Sequence, residues 1–147
     1  MQCHIEPIQI LIAEDQETDA FFIEQAFGQA KVKNAVHWVK DGQETIEFLK
    51  KEGVFSEKPR PHLIILDINM PRKDGYQTLV EIKQHDDFKD IPVIMMSASQ
   101  DPEDILKCYK NHANAYIPKN NGFEDMLEFV NAIEKFWFMK ACLPCVS

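Results

Sequence analysis

Five polar residues of this chain stand at the ends of short apolar runs: Glu14 and Asp15 after residues 8–13, Asp67 after 63–66, Ser97 after 93–96, and Lys119 just past 115–117. One such residue is ordinary, because loops begin where strands stop. Three carboxylates brought to one place are not ordinary, since like charges raise one another's pKa and oppose folding. A hard cation with oxygen ligands offsets that repulsion. Mg²⁺ binds through one or two carboxylates plus water and phosphate, whereas Ca²⁺ prefers more ligands than this set offers. A carboxylate beside such a cation, with an amine and a hydroxyl nearby, suits phosphoryl transfer. The carboxylate attacks phosphorus and holds an acyl phosphate, while cation, ammonium and hydroxyl neutralise the equatorial oxygens.

Those residues meet only if the apolar runs are neighbouring parallel strands. The sequence supplies the pattern: short apolar strand, then amphipathic helix, five times over. Strands are expected at 8–13, 35–39, 63–66, 93–96 and 115–117, and helices at 19–30, 43–51, 76–84, from Asp101-Pro102-Glu103 to about Lys110, and at 123–139. In the first helix Ala20, Ile23, Ala26 and Phe27 recur at helical spacing. Leu63-Ile64-Ile65-Leu66 shows no polar alternation, as in a strand buried on both faces. Residues 52–62 read as a long polar loop carrying Pro59 and Pro61. Regular alternation predicts a parallel sheet covered by helices on both faces. In such sheets ligands bind beyond the carboxyl ends of the strands.

Length and charge narrow the function further. The 147 residues suit one domain, expected to occupy the whole of 1–147. The net charge of −8 argues against a nucleic-acid partner, which wants Lys and Arg against phosphates. No apolar run approaches the roughly 18 residues of a membrane span. Met1-Gln2-Cys3-His4-Ile5-Glu6-Pro7 lacks the basic and apolar regions of a signal peptide, so a cytoplasmic location is expected. The cysteines Cys3, Cys108, Cys142 and Cys145 then read as thiols. Cys142-Leu143-Pro144-Cys145 has C-x-x-C spacing. A redox pair should open a helix after a strand, and zinc would want a second ligand pair, so neither is assigned.

The motifs taken together resemble the receiver domain of two-component response regulators. They are Glu14-Asp15, Leu66-Asp67-Ile68-Asn69-Met70-Pro71 with Asp74-Gly75, Ser97-Ala98, and Tyr116-Ile117-Pro118-Lys119, in order over about residues 8–138, with 139–147 as a C-terminal extension. The resemblance implies a flavodoxin-like sheet of order 2-1-3-4-5 with five helices. It implies Asp67 as phosphoacceptor from a sensor histidine kinase. Asp15 would bind Mg²⁺ directly, Glu14 through water and Asn69 through its backbone carbonyl. Lys119 would pair with the phosphate, Ser97 would move to hydrogen-bond it, and Tyr116 would turn inward behind Ser97. Asn69 and Ser99 would tune dephosphorylation. The family usually has proline after the lysine, joined by a cis bond; here it is Asn120, which leaves the holding of Lys119 open. The long loop before His62, and Ile133-Glu134-Lys135-Phe136-Trp137 with Leu143-Pro144, are similar to the single-domain regulators of bacterial phytochromes.

With the elements filling the chain, the expected output is a protein contact that changes on phosphorylation, with an unknown downstream protein. Such a regulator would be no enzyme beyond its own phosphorylation and dephosphorylation. Two other classes compete. A haloacid-dehalogenase-type phosphatase wants a second Asp two residues after the nucleophile, where this chain has Asn69, and a cap domain. A phosphorylation-independent binding module is disfavoured by the presence of Asp15, Asp67, Ser97 and Lys119 together. In the last helix Met126, Val130, Ile133 and Trp137, with Leu127, form the expected core stripe. Phe129, Phe136, Phe138 and Met139 are left over and predict a homodimer through this helix and tail, unless residues 141–147 fold back over them.

Overall fold

The computed structural model describes residues 7–119 and 122–144. Asn120 and Cys145, on which the lysine-linkage and C-x-x-C questions turn, lie outside them. The elements alternate as β1 (Ile8–Ala13), α1 (Glu17–Gly28), β2 (Asn34–Val39), α2 (Gly42–Lys50), β3 (Leu63–Asp67), α3 (Gly75–Gln84), β4 (Val93–Ser97), α4 (Pro102–Lys110), β5 (Ala115–Pro118) and α5 (Phe123–Ile133). All strand pairs are parallel, and the sheet order is β2-β1-β3-β4-β5. This is the five-stranded, doubly wound sheet expected from the sequence.

The centre of the sheet is buried on both faces. Every residue of β3 and β4 is buried, so their unbroken apolar runs have helices above and below. Side-chain alternation divides the interior into two layers. Leu11, Leu66, Leu79 and Ile82 lie in one, and Ile10, Ile12, Phe27 and Met126 in the other. The register aligns Asp67 with Met96 and Ser97 with Pro118, bringing the strand ends to one edge. No helix among the described residues is long and apolar enough to cross a membrane.

Two segments depart from expectation. The 52–62 loop contains a 3₁₀ turn at Gly53–Phe55, and the Phe55 ring packs 5.5 Å from that of Phe48. That aromatic contact ties down a loop that reads as merely polar. The last helix does not run as one α-helix to residue 139. It ends at Ile133 and continues as a π turn over Glu134–Phe138. The wider turn brings Trp137 and Phe138 together against the apolar layer beside α1, where Phe138 stacks on Phe27 at 6.1 Å. Glu134 turns inward and accepts the Val32 N–H at 2.7 Å. Phe129 and Leu143 also pack on that layer. Of the four residues expected to be left over, only Phe136 and Met139 are exposed, at 57% and 56%.

Candidate functional site

Local chemistry positions each site residue. Glu14 follows the last pair of β1, and its N–H donates to the Val39 carbonyl at 3.0 Å, extending the β1–β2 ladder by one residue. Asp67 is the last residue of β3 and 3% exposed. The turn after it closes sharply: the Gly75 N–H donates to the Ile68 carbonyl at 2.8 Å. A Cβ on Gly75 would lie 2.2 Å from the Asp67 carbonyl oxygen, so only glycine fits there. Asp74 caps α3 in a reciprocal box with Gln77. The Asp74-Gly75 pair thus lets α3 start directly against the end of β3. Arg72, in the left-handed region at φ 63°, donates to Asp41 at 2.8 Å, and the Gly42 N–H donates to the Lys73 carbonyl.

The sequence-predicted residues converge. Glu14, Asp15 and Asp67 each offer an oxygen, all within 4.8 Å of one another. Lys119 reaches in from the end of β5, bonding Glu14 and, at 2.8 Å, Asp67. It also pairs at 2.9 Å with Asp19, in the first turn of α1, a partner the strand-end reading misses. The available signal is its place in the first turn of α1, where an acidic residue suits the helix N-terminus. Burial pushes the Glu14 carboxyl up to about 8, with Asp67 adding to the rise and Lys119 opposing it. Burial alone would lower Lys119, but its bonds to Asp67, Glu14 and Asp19 outweigh that and hold it above the ordinary lysine range. One lysine therefore bonds Glu14, Asp19 and Asp67, Asp15 stands beside them, and the site is short of positive charge. An all-oxygen donor set in that condition suits a hard divalent cation.

The hydroxyls sit on the other side. Ser97 is buried, and its Oγ accepts the Ser99 N–H at 3.1 Å. Ser99 donates its own hydroxyl to Asp104 at 2.7 Å, while its carbonyl accepts from the half-buried Tyr116 hydroxyl at 2.9 Å. Asn69 is exposed, and its N–H donates to Asp67 Oδ1 at 3.1 Å.

Comparison with known proteins decides what this arrangement belongs to. The family described as response regulator receiver domain matches residues 10–131. The chain is a response regulator receiver domain. Response regulator Rcp1 of Synechocystis sp. is 35% identical over 138 residues, 94% of this chain and 94% of Rcp1. The Mn²⁺-bound form of Rcp1 superposes with a TM-score of 0.88 at 34% identity, over 95% of this chain and 100% of that one. The phosphorylated cyanobacterial phytochrome response regulator RcpA gives 0.89 at 37% identity, over 95% and 99%. This receiver is thus related to phytochrome response regulators. Receiver domains bind a divalent metal and work with histidine kinases; they are regulators, not enzymes in the ordinary sense.

Proposed function

We propose that Asp67 accepts a phosphoryl group from the phosphohistidine of a sensor kinase, and that the loops beyond β4 and β5 turn that event into a changed protein contact. The observation that carries this reading is the Asp67 carboxylate, buried at a strand end, 2.8 Å from the Lys119 ammonium and grouped with Glu14 and Asp15. A carboxylate oxygen of Asp67 attacks phosphorus, the histidine N–P bond breaks, and the imidazole leaves with the electron pair. Lys119 holds the acceptor in place and then neutralises a phosphoryl oxygen. Asp15 directly, Glu14 through water and the Asn69 carbonyl would hold Mg²⁺, which supplies further charge neutralisation when bound. Exposed Asn69 and half-exposed Ser99 flank the access of water to the acyl phosphate and set its lifetime.

The switch follows from the hydroxyls. A phosphoryl oxygen that draws the Ser97 hydroxyl to itself takes it from the Ser99 N–H. The loop that carries Ser99 is also the one that Tyr116 grips, so Tyr116 re-pairs and turns inward behind Ser97. Kinship with Rcp1 and RcpA supports a phytochrome as the kinase, hence a light input, with the downstream protein still to be found. Phe136 and Met139 support a homodimer through the C-terminal segment, the whole of 1–147 acting as one receiver. Light scattering should give a dimer at tens of micromolar, and a Phe136→Glu, Met139→Glu chain should be monomeric; a monomeric parent overturns the dimer.

Phosphotransfer to the intact chain, read by mass spectrometry, tests the central step. Asp67→Asn should lose labelling entirely, and excess chelator should stop it in the parent. Full labelling of the asparagine chain would overturn the assignment.

A further inference from the structure

Trp38 stands at the site end of the edge strand β2 with no counterpart among the motif residues. Its register partner is Ile12, so it lies on the α1 side of the sheet. It is half-buried, yet it belongs to neither apolar layer. Its polar atom makes a short bond: the indole Nε1–H donates to the Glu14 carbonyl at 2.7 Å. The Glu14 N–H is meanwhile held by the Val39 carbonyl at 3.0 Å.

These two bonds together fix the acid pair. Each peptide unit is planar, so a carbonyl oxygen and the following Cα move as one body. Holding the Glu14 N–H orients the plane before Glu14. Holding its carbonyl orients the plane after it, which contains the Asp15 Cα. With both planes set, φ and ψ of Glu14 are no longer free, and the two Cα atoms from which the carboxylates project are placed before any ligand arrives. Where carboxylates repel one another, loss of that aim is felt directly, because an unpinned Asp15 swings toward water.

We propose that Trp38 is a positioning residue for the metal site, acting through the Glu14 carbonyl to aim Asp15 and Glu14 at a divalent cation. This rests on the Mg²⁺ reading given above. It assigns to the edge strand a part in metal affinity that the strand-end carboxylates alone do not reveal.

The test uses the full chain and Mg²⁺ itself. Calorimetric titration of the parent establishes the metal site; a parent that takes up no Mg²⁺ overturns the metal reading and this proposal with it. Given binding by the parent, Trp38→Phe keeps an aromatic ring and removes the donor. Its Mg²⁺ dissociation constant should rise about two- to tenfold, the scale of one hydrogen bond. Asp67 labelling at saturating Mg²⁺ should stay within about twofold, a split that general loosening of the fold would not produce. An unchanged dissociation constant in a folded Phe variant overturns the role of Trp38 and leaves the metal site standing. Should that variant fail to fold, the parent still decides. The chain has two tryptophans, so its indole N–H spectrum holds two resonances, assigned through Trp137→Phe. The Trp38 resonance should move with Mg²⁺ while that of Trp137 stays; a Trp38 resonance indifferent to Mg²⁺ overturns the proposal.

Discussion

The two sides of the site are built differently. On the β1–β3 side the loops are closed by backbone bonds and close approach: Glu14 to Val39, Gly42 to Lys73, Gly75 to Ile68. Helix α3 there buries Gly75, Thr78, Leu79 and Ile82. On the β4–β5 side one backbone bond, from the Lys119 N–H to the Ser97 carbonyl, is joined by ties through hydroxyls: Ser97 on the Ser99 N–H, Tyr116 on the Ser99 carbonyl, Tyr109 on the Tyr116 N–H. Helix α4 buries only Cys108, and Leu106 and Tyr109 are 54% and 46% exposed. Backbone ladders have few alternative partners, whereas a hydroxyl rotates and re-pairs at little cost. The clustered carboxylates thus stand on the stiff side, and the side proposed to respond, from which Lys119 reaches in, has the weaker hold.

Substituting one residue on each side puts the largest strain on this contrast. Gly75→Ala drives a methyl into the Asp67 carbonyl, with backbone on both sides of the clash. The expected loss is about 3 kcal/mol, at the upper end for overpacking, together with loss of Asp67 labelling. Leu106→Ala on α4 removes an exposed side chain and should cost within about 0.5 kcal/mol. Urea denaturation of the two chains measures both. Equal losses would show that α3 and α4 are held alike and would break the comparison.

A second contrast is titrimetric. Glu14 rises from an ordinary 4.5 to about 8 in the folded chain, burial being the main cause. The folded state therefore binds a proton that the unfolded state has released, and between these pH values metal-free stability falls as pH rises. A divalent cation bound there would take that proton's place. Mg²⁺ affinity should climb with pH, by at most about tenfold per unit, and level off above about 8. Calorimetry in buffers of different ionisation heat would show the released proton. Ser97→Ala should keep this dependence, since it alters only the hydroxyl side. A flat affinity between pH 5 and 8 would remove Glu14 from the account.

How much of this was legible in the residues depends on the range of each interaction. The strand-end acids were legible because a charge that stops an apolar run is a local signal, and alternation fixed the sheet. Asp74-Gly75 was legible as a motif of the family resemblance; the reason it must be glycine, the Asp67 carbonyl behind it, needed coordinates. Trp38 on Glu14, Arg72 on Asp41 and Asp19 on Lys119 join residues distant in sequence through side-chain reach, which no periodicity encodes. The C-terminal helix misled for a related reason. A 3.6-residue stripe left Phe138 outside, but the π turn resets the phase and carries it onto Phe27.

The smallest expected effect lies in the Tyr116 hydroxyl. Tyr116→Phe removes its bond to the Ser99 carbonyl and keeps the ring that packs against the apolar layer. Ser99 is only half-buried, so water replaces the lost donor, and the stability cost should be about 1 kcal/mol or less. Because that bond restrains a loop and touches none of Glu14, Asp15 or Asp67, Mg²⁺ affinity and the rate of Asp67 labelling should stay within about twofold of the parent. Amide hydrogen exchange should instead quicken at residues 98–101, where the carbonyl has lost its anchor, and stay unchanged at 68–75. If metal affinity falls in Tyr116→Phe as far as it does in Asp15→Asn, the hydroxyl side reaches into the cation site even before phosphorylation, and the division into a stiff side and a responsive side fails.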